Sequence, residues 1–138
     1  MSRHNDRRQF LQQSTVAGVG YWVAGGLSRA DDSKSPNERL RIASIGVGGK
    51  GSSDCDQAGN YGDIVAICDI DDNQLNGKAQ RFPKAKKYND FRKMLDEMGK
   101  DIDAVTVSTA DHTHAPAAAM AIRMGKHVYC QKPLTHTV

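Results

Sequence analysis

The sequence has little cysteine. Cys55, Cys68 and Cys130 are too few and too unevenly spaced for a disulfide framework or a zinc site. Two of them fall in strand-like runs, where a thiol serves as a small apolar group, and buried free thiols are expected. The sequence also lacks any apolar run near the roughly 20 residues that a membrane-spanning helix needs, which excludes a stable span. Nor is the body of the chain one-signed. Of the 19 Lys and Arg, four (Arg3, Arg7, Arg8, Arg29) lie in the first 30 residues with Asp6 as the sole acid there, leaving 15 basic and 15 acidic side chains from residue 31 onward. The net charge of +3 therefore belongs to the leader, and the body gives no electrostatic case for nucleic acid.

What is present fits one globular domain. The chain has 138 residues, 38% hydrophobic and 25% charged, an ordinary folded composition at a length that domains commonly have. Residues 1–30 show a charged start, a weakly apolar, glycine-rich stretch from Val16 to Leu27, and small residues at Ser28 and Ala30. That is the layout of an export signal. Arg7-Arg8 followed by Gln9-Phe10-Leu11 resembles the twin-arginine signal, whose machinery exports proteins already folded. Cleavage near Ala30 and a periplasmic or other extracytoplasmic location are the expectation; a disordered basic tail is the alternative. A route for folded cargo suits a protein that takes up a cofactor in the cytoplasm. Residues 31–38, polar and containing Pro36, read as a linker, with the folded domain at 39–138.

From Leu40 the pattern alternates. Strand-like runs occupy Leu40–Gly46, Asp63–Asp69, Asp103–Ser108 and His127–Cys130. Ala85–Tyr88 is weaker and lysine-loaded, which suits a sheet edge. Between them lie helical segments. Asp71–Phe82 opens on two carboxylates; the next places Phe91, Met94, Leu95 and Met98 on one face and stops at Gly99; the last carries Pro116 in its first turn and stops at Gly125. Such alternation predicts an α/β fold, a Rossmann-type doubly wound parallel sheet.

The first strand ends in "GVGGKG", residues Gly46, Val47, Gly48, Gly49, Lys50 and Gly51. In a GxGxxG turn the first glycine allows the bend, the second lets the backbone approach a pyrophosphate, and the third lets the helix pack on the sheet. The helix beginning near Lys50 then points its free N–H groups at the phosphates. The next strand ends in Asp69, 18 residues past Gly51, where an acid accepts hydrogen bonds from the adenosine ribose and repels a 2′-phosphate. NAD is thus favoured over NADP. The competing reading is a mere turn, with Asp69 capping the next helix. In the third loop, "STADHTHAP", Asp111, His112 and His114 stand in one short stretch with no second cluster, which argues against a metal site. His114 and Thr113 either start the helix or meet cofactor or substrate. Lys132, after the fourth run, would emerge at the same edge of the sheet as the glycine turn, where a lysine can assist proton transfer beside a nicotinamide ring.

With the glycine turn, Asp69, "DHTHAP" and "GKHVYCQKPL" in place, residues 39–138 resemble the glucose-fructose oxidoreductase, inositol dehydrogenase and rhizopine-catabolism family (Gfo/Idh/MocA). The resemblance implies an NAD-binding domain followed by an α+β substrate domain that this chain lacks, so Val138 is expected to be a cut rather than a terminus. It implies a sugar or polyol substrate, self-association through that second domain, and little activity for these residues alone. The family's Glu-Lys-Pro motif falls on Gln131-Lys132-Pro133. Lys132 is thereby the catalytic candidate, with Ser108, Asp111, His112 and Gln131 near the cofactor. Gln131 replaces the family's glutamate and cannot hold Lys132 as an ion pair. Three functions are carried forward: an exported oxidoreductase, a glycosidase that retains its NAD, and a non-catalytic nucleotide-binding fragment.

Overall fold

The computed structural model describes residues 39–135. The export signal and linker expected within residues 1–38 lie outside the described residues. The elements run β1 (Leu40–Ile45), α1 (Gly49–Tyr61), β2 (Gly62–Cys68), α2 (Asp72–Arg81), β3 (Lys86–Tyr88), α3 (Phe91–Met98), a 3-10 turn (Gly99–Asp101), β4 (Ala104–Val107), α4 (Asp111–Arg123) and β5 (His127–Cys130). The five strands form one parallel sheet in the order β3-β2-β1-β4-β5. The chain therefore folds as a doubly wound sheet, with lysine-rich β3 at an edge. Among the described residues no helix is long and apolar enough to cross a membrane.

Two apolar layers clamp the sheet. One, against α1 and α2, gathers Ile42, Val47, Cys55, Ile64, Ile67 and Leu75. The other, against α3 and α4, gathers Ala43, Ile45, Met94, Leu95, Met98, Val105, Val107, Ala117 and Ala121. Ile64 and Ile67 share a side despite their odd separation because Val65 is unmatched: Ile42 pairs with Ile64 but Ala43 with Ala66. The irregularity resets the alternation, so an unbroken apolar run serves both layers. In the centre of the sheet Thr106 and Ser44, neighbours across β4 and β1, share a hydrogen bond of 2.9 Å. Among the described residues every buried side-chain N or O has a partner, as a tightly packed interior requires.

Helix α3 stops at Gly99 as expected, while α4 starts earlier than expected. Gly99 does not turn left-handed; its φ is −53°, and the chain takes one more 3-10 turn. The reason lies in donors from elsewhere: Lys126 Nζ bonds the Gly99 carbonyl and Arg41 Nη2 the Lys100 carbonyl, so the exposed acceptors need no reversal of the backbone. Helix α4 opens at Asp111, which puts Pro116 in its second turn, where the ring removes the N–H that would have met the His112 carbonyl. Its stop is as expected. Gly125 has φ +74°, Gly125 N bonds Ile122 O at 2.9 Å, and Lys126 N bonds Ala121 O at 3.0 Å, the paired bonds of a left-handed helix end.

Candidate functional site

The parallel register lines up the strand ends. Cys68 pairs with Ile45, Ile45 with Val107, Val107 with Cys130, and Cys68 on its other side with Tyr88. The next residue of each strand therefore shares one edge: Asn89, Asp69, Gly46, Ser108 and Gln131. Their backbones are still tied to the neighbouring strand, Gly46 N to Cys68 O, Ser108 N to Ile45 O and Gln131 N to Val107 O, each at 2.8 Å, and Asp69 N to Tyr88 O at 3.1 Å. Four of these five were singled out from the sequence. They flank the switch point, where β1 leads to β2 on one side and neighbours β4 on the other, the place where such sheets bind ligands.

A cleft of about 820 Å³ opens along this edge, within the range of small-molecule sites. Gly46, Gly48, Lys50, Asp69, Ser108 and His112 line it, together with Ile70, Asn89, Phe91, Arg92 and Thr109. The glycine turn is shaped for close approach. Gly46 has φ +80°, and a Cβ there would fall 2.6 Å from the Ser108 carbonyl oxygen; one on Gly51 would fall 2.1 Å from the Gly46 carbonyl oxygen. Gly49, exposed with φ +49°, begins α1, and Val47 is buried beneath. Helices α2 and α3 are capped by Asp71 and Asp90, whose side chains accept the Asn73 and Arg92 N–H groups. At α1 the N-cap is Gly48, with no side-chain cap and no acid in the first turn, an arrangement that suits an anion; α4 also lacks a side-chain cap but carries Asp111 in its first turn.

Asp69 braces the turn. Its Oδ2 accepts Val47 N at 2.8 Å and Gly48 N at 3.2 Å, and its Oδ1 accepts Asp71 N at 3.0 Å. Capping of α2 falls to Asp71, so Asp69 is not spent on it. Remaining lone pairs of a half-buried carboxylate face the cleft beside Ile70, which is 92% exposed, a bare apolar wall for a flat ring. Arg92 on the far wall is paired with Asp90 and stacked on Phe91, 4.6 Å from the ring centroid. Cys68 lines the cleft too, but burial first, then the charges of Asp69 and Asp90, push its thiol up to about 12, so it stays protonated and is no nucleophile.

The loops after β4 and β5 are less uniform. Asp111 is exposed and lies outside the cleft lining, although it begins α4 beside His112. His114 turns inward and is 1% exposed: its Nε2 stands 2.9 Å from the Thr109 carbonyl oxygen and its Nδ1 2.6 Å from that of Pro133. The ring thus bridges the two loops and is neither a helix cap nor a cleft residue. Among the described residues no cluster of three or more His, Cys, Asp or Glu is placed to hold a metal. Lys132 is exposed one residue past Gln131 and is not in the cleft lining. Two residues went unnoticed in the sequence. Asn89 bonds the Asp69 carbonyl at 3.1 Å and Asp72 Oδ1 at 2.6 Å, supporting the cleft floor. Asp54, 5% exposed, accepts from Lys50, Ser108 and Gln131; its one sequence signal was the four-residue spacing from Lys50.

Over residues 40–138 the sequence matches the Gfo/Idh/MocA oxidoreductases, whose domain is an NAD-binding Rossmann fold. The chain belongs to this family. Inositol 2-dehydrogenase of Salmonella typhimurium is 29% identical over 71% of this Gfo/Idh/MocA chain and 30% of its own length. A glycosyl hydrolase family 109 protein of Saccharopolyspora erythraea is 32% identical over 99% of the chain and 36% of its own length. Among solved structures, myo-inositol dehydrogenase from Lactobacillus casei, in complex with NAD(H) and myo-inositol, superposes with a TM-score of 0.65 at 29% identity, over 72% of this chain and 30% of that one. The chain thus spans about a third of the length of the curated relatives it matches. The uncapped α1 N-terminus, the glycine cradle and Asp69 fit NAD: backbone N–H groups for a pyrophosphate, an acceptor for ribose hydroxyls, and negative charge against a 2′-phosphate.

Proposed function

We propose that the chain is the cofactor-binding part of an NAD-dependent oxidoreductase that acts on a sugar or polyol hydroxyl. The observation that carries this reading is the common edge of Gly46, Asp69, Ser108 and Gln131, with the uncapped N-terminus of α1 in its middle. In this reading α1 and the turn from Gly46 to Gly51 hold the pyrophosphate, and Asp69 holds the adenosine ribose. Ser108 and His112 border the nicotinamide half, with Gln131 on the same strand edge and Asp111 beside His112, both outside the cleft lining. When bound, NAD supplies a hydride acceptor for the substrate carbinol carbon. Lys132 assists by taking the hydroxyl proton, which general-base catalysis requires to leave as the hydride departs. The protein would self-associate, and its leader would carry it out of the cytoplasm folded, by the twin-arginine machinery.

A second reading has its own support. The glycosyl hydrolase family 109 relatives align over 99% and 96% of the chain, leader included, against 71% for the Salmonella inositol dehydrogenase. A glycosidase that oxidises its sugar transiently would use the same edge and keep its NAD. The protein is tested with NAD against free polyols, myo-inositol among them, and against aryl glycosides. Net NADH from a polyol supports the oxidoreductase; glycoside cleavage without net NADH supports the glycosidase; neither, with NADH still bound, supports a non-catalytic nucleotide-binding role. Export is tested by replacing Arg7 and Arg8 with Lys, and protein that still reaches the periplasm refutes the twin-arginine route.

A further inference from the structure

Asp54 sits on α1, one turn past Gly51, with 5% of its surface exposed. A carboxylate is seldom buried this deeply without partners. Here three donors converge on it. Lys50 Nζ meets Oδ1 at 2.6 Å, and Oδ2 accepts both Ser108 Oγ at 2.8 Å and Gln131 Nε2 at 3.0 Å. One anion on the helix behind the glycine turn is therefore bonded to the turn's own lysine and to the first residues past β4 and β5. Burial works to raise its pKa, but the hydrogen bonds from Lys50, Ser108 and Gln131 outweigh this, and Asp54 is held below the ordinary carboxylate value.

Gln131 completes the link. Its Oε1 accepts Lys132 N at 3.2 Å while its Nε2 donates to Asp54. A carboxylate at one end and an N–H at the other allow the amide a single orientation, because a flip would set donor against donor and acceptor against acceptor.

We infer that Asp54 is a positioning residue for the cofactor edge. It supplies the buried negative charge to which Ser108 and Gln131 are keyed, and through the Gln131 amide it fixes the backbone from which Lys132 projects. The part concerning Lys132 rests on the oxidoreductase reading; the part concerning the cofactor edge does not. One carboxylate and one amide form a matched pair, so what the site needs is one charge, and the two positions can exchange it. Glutamate at 131 opposite Asp54 would set two carboxylates about as close as the present contact of 3.0 Å, and two like charges at that distance cannot both stay ionised. The other titratable groups near this spot are Lys50, paired with Asp54 on α1, and Tyr61 on α1 with His127 and Tyr129 on β5, which line the groove beside Asp54.

The test is a charge swap in the full chain. Gln131→Glu, Asp54→Asn and the double variant are compared with the native protein by NADH fluorescence titration across pH, with denaturation midpoints as a check on folding. Gln131→Glu should weaken NADH binding roughly tenfold or more at alkaline pH, the weight of one charge-assisted hydrogen bond, and recover as acid supplies the missing proton. Asp54→Asn should weaken it by a similar factor without that pH step. The double variant should return to within about threefold of native with the native pH profile, a coupling that independent sites would not show. Losses that simply multiply in the double variant overturn the inference, as does a Gln131→Glu profile identical to native. If Asp54→Asn fails to fold, rescue of Gln131→Glu by the second substitution still decides. Should the swap behave as expected while no polyol is turned over, the oxidoreductase reading fails and Asp54 keeps its role at the cofactor edge.

Discussion

Asp69→Asn preserves the shape of the side chain and alters its hydrogen bonding alone. The carboxylate now accepts three backbone N–H groups, Val47 and Gly48 at Oδ2 and Asp71 at Oδ1. An amide serves the pair best by turning its oxygen toward Val47 and Gly48. Its NH2 then faces the Asp71 N–H, one hydrogen bond is lost, and the other two become neutral. A hydrogen bond to a charged acceptor is worth about 1.5–3 kcal/mol when buried, and the half-exposed position puts this one at the lower end. A destabilisation of about 1–2 kcal/mol is expected, a fall in Tm of roughly 5–15 °C for a domain of this size. On the ligand side, a neutral acceptor for the ribose should weaken NADH about tenfold. NADPH, no longer repelled by a carboxylate, should weaken less, so the ratio between the two narrows. Thermal denaturation and fluorescence titration with both nucleotides read the two effects separately. Unchanged Tm with an unchanged NADH to NADPH ratio would show that the carboxylate neither braces the turn nor selects the ribose.

Gly51→Ala sets a Cβ 2.1 Å from the Gly46 carbonyl oxygen, so α1 must back away from the turn; a loss of about 1–3 kcal/mol in denaturant and weaker NADH binding should appear together. Gly77→Ala is the contrast: nothing lies within 4 Å of its Cβ on α2, and the protein should gain about 0.5–1 kcal/mol with NADH affinity intact. Leu95→Ala empties a site with 0% exposure under the sheet and should cost about 2–5 kcal/mol in urea denaturation. Asp54, whose folded pKa is depressed, contributes stability that is fully present above its ordinary value of 3.8 and is lost as pH falls through the lower folded value. The denaturation midpoint should therefore drop below about pH 4, and Asp54→Asn should flatten that part of the curve.

The strands and three helix faces could be read from the sequence because each buries an apolar surface with a regular period. The "DIVAICD" run and the Phe91, Met94, Leu95, Met98 face carry their fold on their surface chemistry. The glycine turn was legible for a different reason: few residue types can occupy a backbone that close to Ser108. Asp54 was not legible. A single acid in a polar helix reads as a solvated one, and only the approach of the β4 and β5 loops buries it. The inward turn of His114 was not legible, because the start of α4 sets which residues of the loop face in, and Pro116 pointed to a later start than the structure has. The replacement of glutamate by Gln131 read as the loss of a charge at the catalytic edge. In three dimensions a buried charge, Asp54, stands against the Gln131 amide.

The shared register of the strand ends also bears on folding. The cofactor edge is assembled from β1, β2, β4 and β5, and its central pairing joins Ile45 to Val107, partners far apart in sequence that meet only after a long loop has closed. No subset of these strands forms the edge, so a dinucleotide recognises the fully docked sheet and nothing earlier. At a hundredfold excess over its Kd such a ligand adds about 2.7 kcal/mol to the folded state, a sizeable share of the 5–15 kcal/mol that small domains possess. Occupancy would then act as a proofreader of assembly, with chains that have closed the sheet correctly held closed by the nucleotide they have captured.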